Sequence, residues 1–375
     1  MVGLRTRRKG WDRFAGWPPG AALLVLAAAL LMLIAAALSV RSDLLPGGQP
    51  ALPAASNAPA ASPANGAPAE AARDTDLMLY DRIAERVRGG ENYYRAAVAE
   101  QRARDFPVRP GLAVRLPTLA LLSALLRPTG MMVLAAILGL ATLAAWWLRL
   151  QWEPGGRDLS TFVLLLLVIG AATGFKPQYL VLHEVWSGVL LALALALHRR
   201  RRWLASWLVA ALALALRELA LPFVLLMGAL ALWRGDRREA LAWGALVGLF
   251  AIGLWAHLGA VAAITSPADP LSPSWLALRG LGGWTGNIIL SSPLYLLPGW
   301  IAAPLALLPL IGWAGWKSDL GLAGFLTCLG YGAAFMIAGR DANFYWALMV
   351  MPIWFVGLAF LPRTLAGLVN SARGY

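Results

Sequence analysis

Arg217 and Glu218 stand side by side in the middle of an apolar run, 203–233, that has arginine clusters beyond both ends. A charged pair in such surroundings is costly unless it faces a polar cavity or a partner. His183 and Glu184 head a second apolar run, and Arg340, Asp341, Asn343 and Tyr345 sit between two more. Asp74, Asp76, Tyr94, Arg109 and Arg115 all fall in one long polar stretch, 74–118. Carboxylates, arginines and access to lipid together suit transfer from a lipid phosphate. Arginine grips phosphate through bidentate, charge-assisted bonds and stabilises the charge that develops on it. A carboxylate can take the proton of an attacking hydroxyl.

Each group also has a plainer structural reading. Asp74 or Asp76 suits the N-cap of a helix starting at Leu77, a place where aspartate is favoured. His183 and Glu184 suit a buried hydrogen-bonded pair, Arg217 and Glu218 an internal ion pair, and Arg340-Asp341 a solvated turn. Tyr94 suits interfacial packing, and Arg115 an anchor to lipid headgroups. Other chemistries find no support: the chain has no P-loop, no HExxH and no GxSxG elbow. The lone Cys328 excludes an intramolecular disulfide and a cysteine metal cluster, and the three histidines are too scattered for a spaced metal motif. A divalent metal at Asp74 and Asp76 stays open, with nothing else in the sequence to support it.

The elements that must position these residues are membrane-like. Of 375 residues 59% are hydrophobic and 14% charged, with mean hydropathy +0.65, against about 25% charged in soluble domains. The net charge of +13 lies largely in short loops, which suits membrane topology and anionic headgroups rather than nucleic acid. The eighteen tryptophans suit interfacial belts.

The expected fold is all-α: a polytopic membrane protein of about ten transmembrane helices. Its expected parts are a basic cytoplasmic tail (1–19), a first span (20–40), a Pro/Ala linker (41–73), an extracytoplasmic segment (74–128), a multi-span domain (129–362) and a cytoplasmic tail (363–375). Within 74–128, apolar residues at helical spacing and the Gly89-Gly90 break predict two amphipathic surface helices. Later spans are expected near 129–148, 160–176, 178–198, 203–216, 219–233, 240–263, 293–313, 320–338 and 343–361. Between basic clusters at both ends, 203–233 must cross an even number of times. Each half is then roughly 22 Å of helix against a core of about 30 Å, which sinks Arg217 and Glu218 below the outer surface. Loop charges place both termini inside and the polar residues outside.

The run DLMLYDRIAERVRGGENYYRAAVAEQRARDFPVRPGLAVRLPT, with HEVWSGVLLALALAL, RELALPF and NFYWALMVMPIWFVGLAFLP further on, gives the chain a layout that resembles the integral-membrane GT-C glycosyltransferases of bacteria. The resemblance implies a polyprenyl-phosphate sugar donor and a site facing the periplasm from the inner membrane. It puts the catalytic base on Asp76, with Asp74 in reserve. Donor phosphate falls to Arg217 and Arg340, with Arg115 as a third candidate. His183, Glu184 and Glu218 would orient these groups, and Tyr94, Asn343 and Tyr345 would touch substrate. The acceptor is a glycan, lipid or protein hydroxyl, and the other partners are membrane lipids. A flippase or transporter for lipid-linked glycans, and a polymerase or ligase at the same face, remain alternatives.

Overall fold

The computed structural model describes residues 10–39 and 75–374; the expected linker 41–73 and Asp74 lie outside them. Among the described residues the chain is helical, with no strand and three isolated β-bridges between loops. Four helical stretches among the described residues are long and apolar enough to cross a membrane: α1 (Pro19–Leu38), Gly111–Leu150 with α4 (Thr118–Leu150), α9 (Arg237–Ala262) and α12 (Asp319–Ile337). A fifth is Asp341–Met349 plus Met351–Ala359, bent by 64° at their junction. Large apolar side chains stay exposed along these helices, among them Leu24, Leu31, Leu140, Ile252 and Trp255. Such faces are compatible with a membrane protein, because lipid satisfies them as a core would.

Full-length spans are fewer than the sequence suggests. The expected 160–176 and 178–198 shorten to α5 (Ser160–Ala171) and α6 (His183–Leu197). α7 (Leu204–Leu216), α8 (Leu221–Trp233) and α11 (Gly299–Gly315) are also short. The expected 343–361 is not one helix: it runs as a 3-10 segment Asp341–Met349, α13 (Met351–Trp354) and a 3-10 turn Phe355–Ala359. Tertiary contact explains the break. A Cβ on Gly188 of α6 would stand 2.0 Å from the Leu348 carbonyl oxygen, and one on Gly312 of α11 1.9 Å from that of Gly357. The broken segment's backbone is pressed against two helices that offer it no side chain.

Arg127 breaks α4 as its sequence implies, with φ 60 directly before Pro128. Proline disfavours a helical conformation at the residue before it. The expected tail 363–375 is mostly the amphipathic α14 (Leu361–Ala372), packed on α1 and α11. The tryptophans divide: Trp152, Trp233 and Trp255 are exposed, but Trp146, Trp243, Trp313, Trp316 and Trp354 are wholly buried. Burial is affordable because the indole N–H finds a carbonyl. Trp146 donates to Ala192 at 3.0 Å and Trp354 to Ala306 at 2.8 Å.

Helix ends sort to two poles. At one, Arg149 donates to the His198 carbonyl, His198 meets Glu239 at 2.7 Å and Arg200 meets Asp319 at 2.6 Å. At the other, Thr118 Oγ1 donates to the Ala215 carbonyl at 2.7 Å, and Leu276 bridges Ala338. The candidate site lies at this second pole.

Two surface helices cover it, α2 (Thr75–Arg88) and α3 (Tyr93–Ala103). Asn92 caps α3 by accepting from the Tyr94 and Arg95 N–H groups. Leu79, Ile83, Tyr93, Ala97, Val98, Phe106, Val108 and Val114 form a small core of their own with Val261 of α9. The segment also docks through Arg102, which pairs with Asp269 at 2.7 Å, and Arg109, whose carbonyl accepts from Ser272 N–H at 2.6 Å.

Candidate active site

Helix lengths create the space. α8 and α9 leave the same turn, but α8 has 13 residues and α9 has 26. At 1.5 Å per residue, α9 overshoots by roughly 20 Å. The apex between α7 and α8 therefore lies below the end of α9, and α2 and α3 fill the overhang. Arg217 forms that apex in an extended conformation, φ −150 and ψ 122, before the 3-10 turn Glu218–Ala220. Three neighbours fix it. Thr118 holds the Ala215 carbonyl, Ser187 Oγ of α6 donates to Ala213 at 3.0 Å, and Tyr331 OH of α12 donates to Leu219 at 2.5 Å.

Arg217 is the hub of an ion-pair chain. Its Nε lies 2.8 Å from Glu184 Oε1 and its Nη1 2.5 Å from Glu218 Oε1. Arg115 Nη1 stands 3.9 Å from the same Glu218 oxygen. Glu184 occupies the first turn of α6, where the helix dipole favours a negative charge. Trp346 closes another side, with the Arg217 guanidinium carbon 6.0 Å from its ring centroid. Arg217 Nη2 and Trp346 Nε1 are both buried without a hydrogen-bond partner.

Exposure separates the four charged side chains into two layers. Arg217 and Glu184 are 1% and 2% exposed; Arg115 and Glu218 are 15% and 23% exposed. The inner pair is sealed, and the outer pair keeps partial exposure. Arg115 Nε donates to Tyr80 Oη at 3.3 Å, and its Nη groups make no hydrogen bond to a described residue. The Tyr80 ring stands edge-on to His183 at 5.4 Å. His183 is 3% exposed, and neither ring nitrogen has a partner in good hydrogen-bond geometry. Tyr345 also lies in electrostatic range of Arg115.

Sequence-predicted residues are thus divided. The structure brings together Arg115, His183, Glu184, Arg217 and Glu218, with Tyr345 beside them. Arg217 lies between two carboxylates and is 1% exposed, with its Nη2 still unpartnered among the described residues. The structure parts Arg340 from Arg217. Arg340 instead lines a cleft with Arg279 and Asp341, and among the described residues it pairs with no member of the ion-pair chain. Asn343 links the two regions: its Oδ1 accepts from Arg340 N–H at 3.1 Å and its Nδ2 donates to Tyr345 Oη at 3.4 Å. Tyr94 acts one step removed, 3.4 Å from His257 Nδ1, while His257 Nε2 meets the Val114 carbonyl at 3.1 Å.

Asp74 falls outside the described residues. Asp76 lies in the first turn of α2, one helical turn before Tyr80. Among the described residues no group of three or more His, Cys, Asp and Glu side chains could hold a metal ion. Sequence reasoning missed Tyr80, His257 and Tyr331. Tyr80 carried a usable signal, since it is the polar residue one turn after Asp76 in an amphipathic helix. The chain matches no family model, no curated protein and no solved structure.

Proposed function

We propose that the protein is a membrane glycosyltransferase of about ten crossings, in a bacterial inner membrane, whose site faces the periplasm. The short helices α5, α6, α7, α8 and α11 would complete the crossings that the longer ones begin. The observation that carries the reading is the layered pair beneath the surface helices: Arg115 and Glu218 partly exposed, Arg217 and Glu184 sealed behind them.

In this reading an acceptor hydroxyl attacks the anomeric carbon of a polyprenyl-phosphate sugar. The new glycosidic C–O bond forms as the bond from carbon to phosphate oxygen breaks. The hydroxyl proton passes to the Asp76 carboxylate, and the leaving polyprenyl phosphate keeps the electron pair. Arg115, with unspent Nη donors, takes the charge that grows on that phosphate. Arg217 is a positioning residue that holds Glu218, and through it the reach of Arg115. Attack from the face opposite the phosphate inverts the anomeric centre.

The test is transfer by purified protein in proteoliposomes, with a panel of radiolabelled polyprenyl-phosphate sugars. Transfer from at least one donor supports the reading, and no release of polyprenyl phosphate from any of them contradicts it. A flippase reading draws on the second buried cluster, His198 with Glu239 and Arg149, at the opposite pole, and on the bent segment 341–359. It predicts movement of intact donor across the vesicle membrane without release of polyprenyl phosphate.

A further inference from the structure

Among the described residues Arg340 is a cation without a counter-charge. No described carboxylate lies within ion-pair distance of it, and its Nε is buried with no hydrogen-bond partner. Its one side-chain hydrogen bond to a described residue is a 3.5 Å donation from Nη2 to Ser272 Oγ, at the limit of a useful length. Its neighbour Arg279 is fully engaged. Arg279 donates from Nε and Nη2 to Asp341 Oδ1 at 3.1 and 3.0 Å, and from Nη1 to Asn287 Oδ1 at 3.0 Å. Arg279 and Asp341 cancel, so among the described residues the cleft they share with Arg340, Ser39, Leu281 and Gly282 carries one net positive charge. Its volume is about 540 Å³.

The rim has the opposite character. Leu38, Leu276, Leu278 and Ile337 are exposed at 81%, 77%, 88% and 56%. They flank the cleft in sequence, Leu38 before Ser39 and Leu278 before Arg279. Free inorganic phosphate has no use for such a rim. An anion joined to a hydrocarbon chain satisfies both parts at once, through charge-assisted bonds to the guanidinium and burial of methylenes.

We propose that this cleft binds the phosphate headgroup of a membrane amphiphile, with Arg340 as the phosphate ligand, at a site separate from Arg115 and Glu218. The inference stands whether or not the chain transfers sugar. It is tested on the purified full-length chain in a neutral maltoside detergent, in an Arg115→Gln background so that the outer arginine of the first site cannot contribute. The probes are dodecyl phosphate, inorganic phosphate and dodecanol, read by saturable thermal stabilisation.

Dodecyl phosphate stabilises the protein, and the two partial probes do not at matched concentration. Adding Arg340→Gln weakens the apparent affinity by about tenfold, the scale of one lost charge-assisted bond, while Arg340→Lys keeps most of it. Leu278→Glu, a change at an exposed rim position, also weakens binding and guards against misfolding of the arginine variant. The proposal is overturned by absence of saturable binding in the Arg115→Gln background. It is equally overturned by unchanged affinity in both Arg340→Gln and Leu278→Glu, or by inorganic phosphate matching dodecyl phosphate.

Discussion

Replacing Arg217 with leucine exposes how the inner layer is built. Arg217 meets Glu184 at 2.8 Å and Glu218 at 2.5 Å, and its removal strands both carboxylates. Their fates differ. Glu218 is 23% exposed and keeps Arg115 at 3.9 Å, so water and that arginine can hold its charge. Glu184 is 2% exposed and has no other cation within ion-pair distance among the described residues. The cost therefore falls on Glu184, at about 3–5 kcal/mol for a buried charge that loses its partner. Arg217→Leu with Glu184→Leu removes the charge as well, and buried pairs replaced by apolar residues are often near neutral. The double variant should thus be more stable than the single one, with a coupling of about 2–3 kcal/mol. Equilibrium unfolding in mixed micelles of the wild type, the two single variants and the double variant gives all four corners of the cycle. A double variant no more stable than Arg217→Leu would refute the sealed inner pair.

Other outcomes follow from the same geometry. Gly188→Ala places a Cβ 2.0 Å from the Leu348 carbonyl oxygen, so the segment carrying Tyr345 must shift, at about 1–3 kcal/mol; a thermal melt unchanged from wild type would contradict the contact. The hydrogen bond from Arg102 and the Ser266 N–H hold the Asp269 carboxyl well below its usual range. A lowered folded value means the contribution is complete above the ordinary carboxylate value of about 4 and is lost as pH falls through the folded value. The protection factor of the amides across 266–272, taken against intrinsic exchange at each pH, should accordingly fall in acid, and Arg102→Ala should remove that step while lowering protection at neutral pH. Trp146→Phe removes the donor to the Ala192 carbonyl at 3.0 Å and leaves that oxygen short of a partner, which should cost about 1–3 kcal/mol in the same unfolding assay.

The surface helices were legible because their signals are local. Leu79 and Ile83 recur at helical spacing, and Gly89-Gly90 stops the helix, with Gly90 at φ 90. The sunken apex was legible from arithmetic on 203–233. The pairing of Arg217 with Glu184 was not, because the partners lie on separate helices and nothing in either run specifies the other. The broken segment 341–359 was hidden for a similar reason. Its apolar run reads as one helix, and the carbonyl contacts to Gly188 and Gly312 that bend it are tertiary. α10 (Gly280–Leu290) is absent from the expected spans, and four of its eleven residues are glycine; packing on α12 and on the broken segment overrides that poor propensity. Arg340 was grouped with Arg217 because loops at one pole look equivalent in sequence, whereas Asn343 and Tyr345 stand between them.

The central claim is that Arg115 and Asp76 serve one reaction centre on a frame set by Arg217. The most direct measurement is single-turnover release of radiolabelled polyprenyl phosphate from the accepted donor by wild type, Asp76→Asn and Arg115→Gln. Each variant must first be shown to melt within a few degrees of wild type. The account predicts that Asp76→Asn lowers the rate by about 10²–10⁴-fold, the usual range for loss of a general base, and that Arg115→Gln lowers it by about 10²-fold or more. Wild-type rates in both stable variants would contradict it.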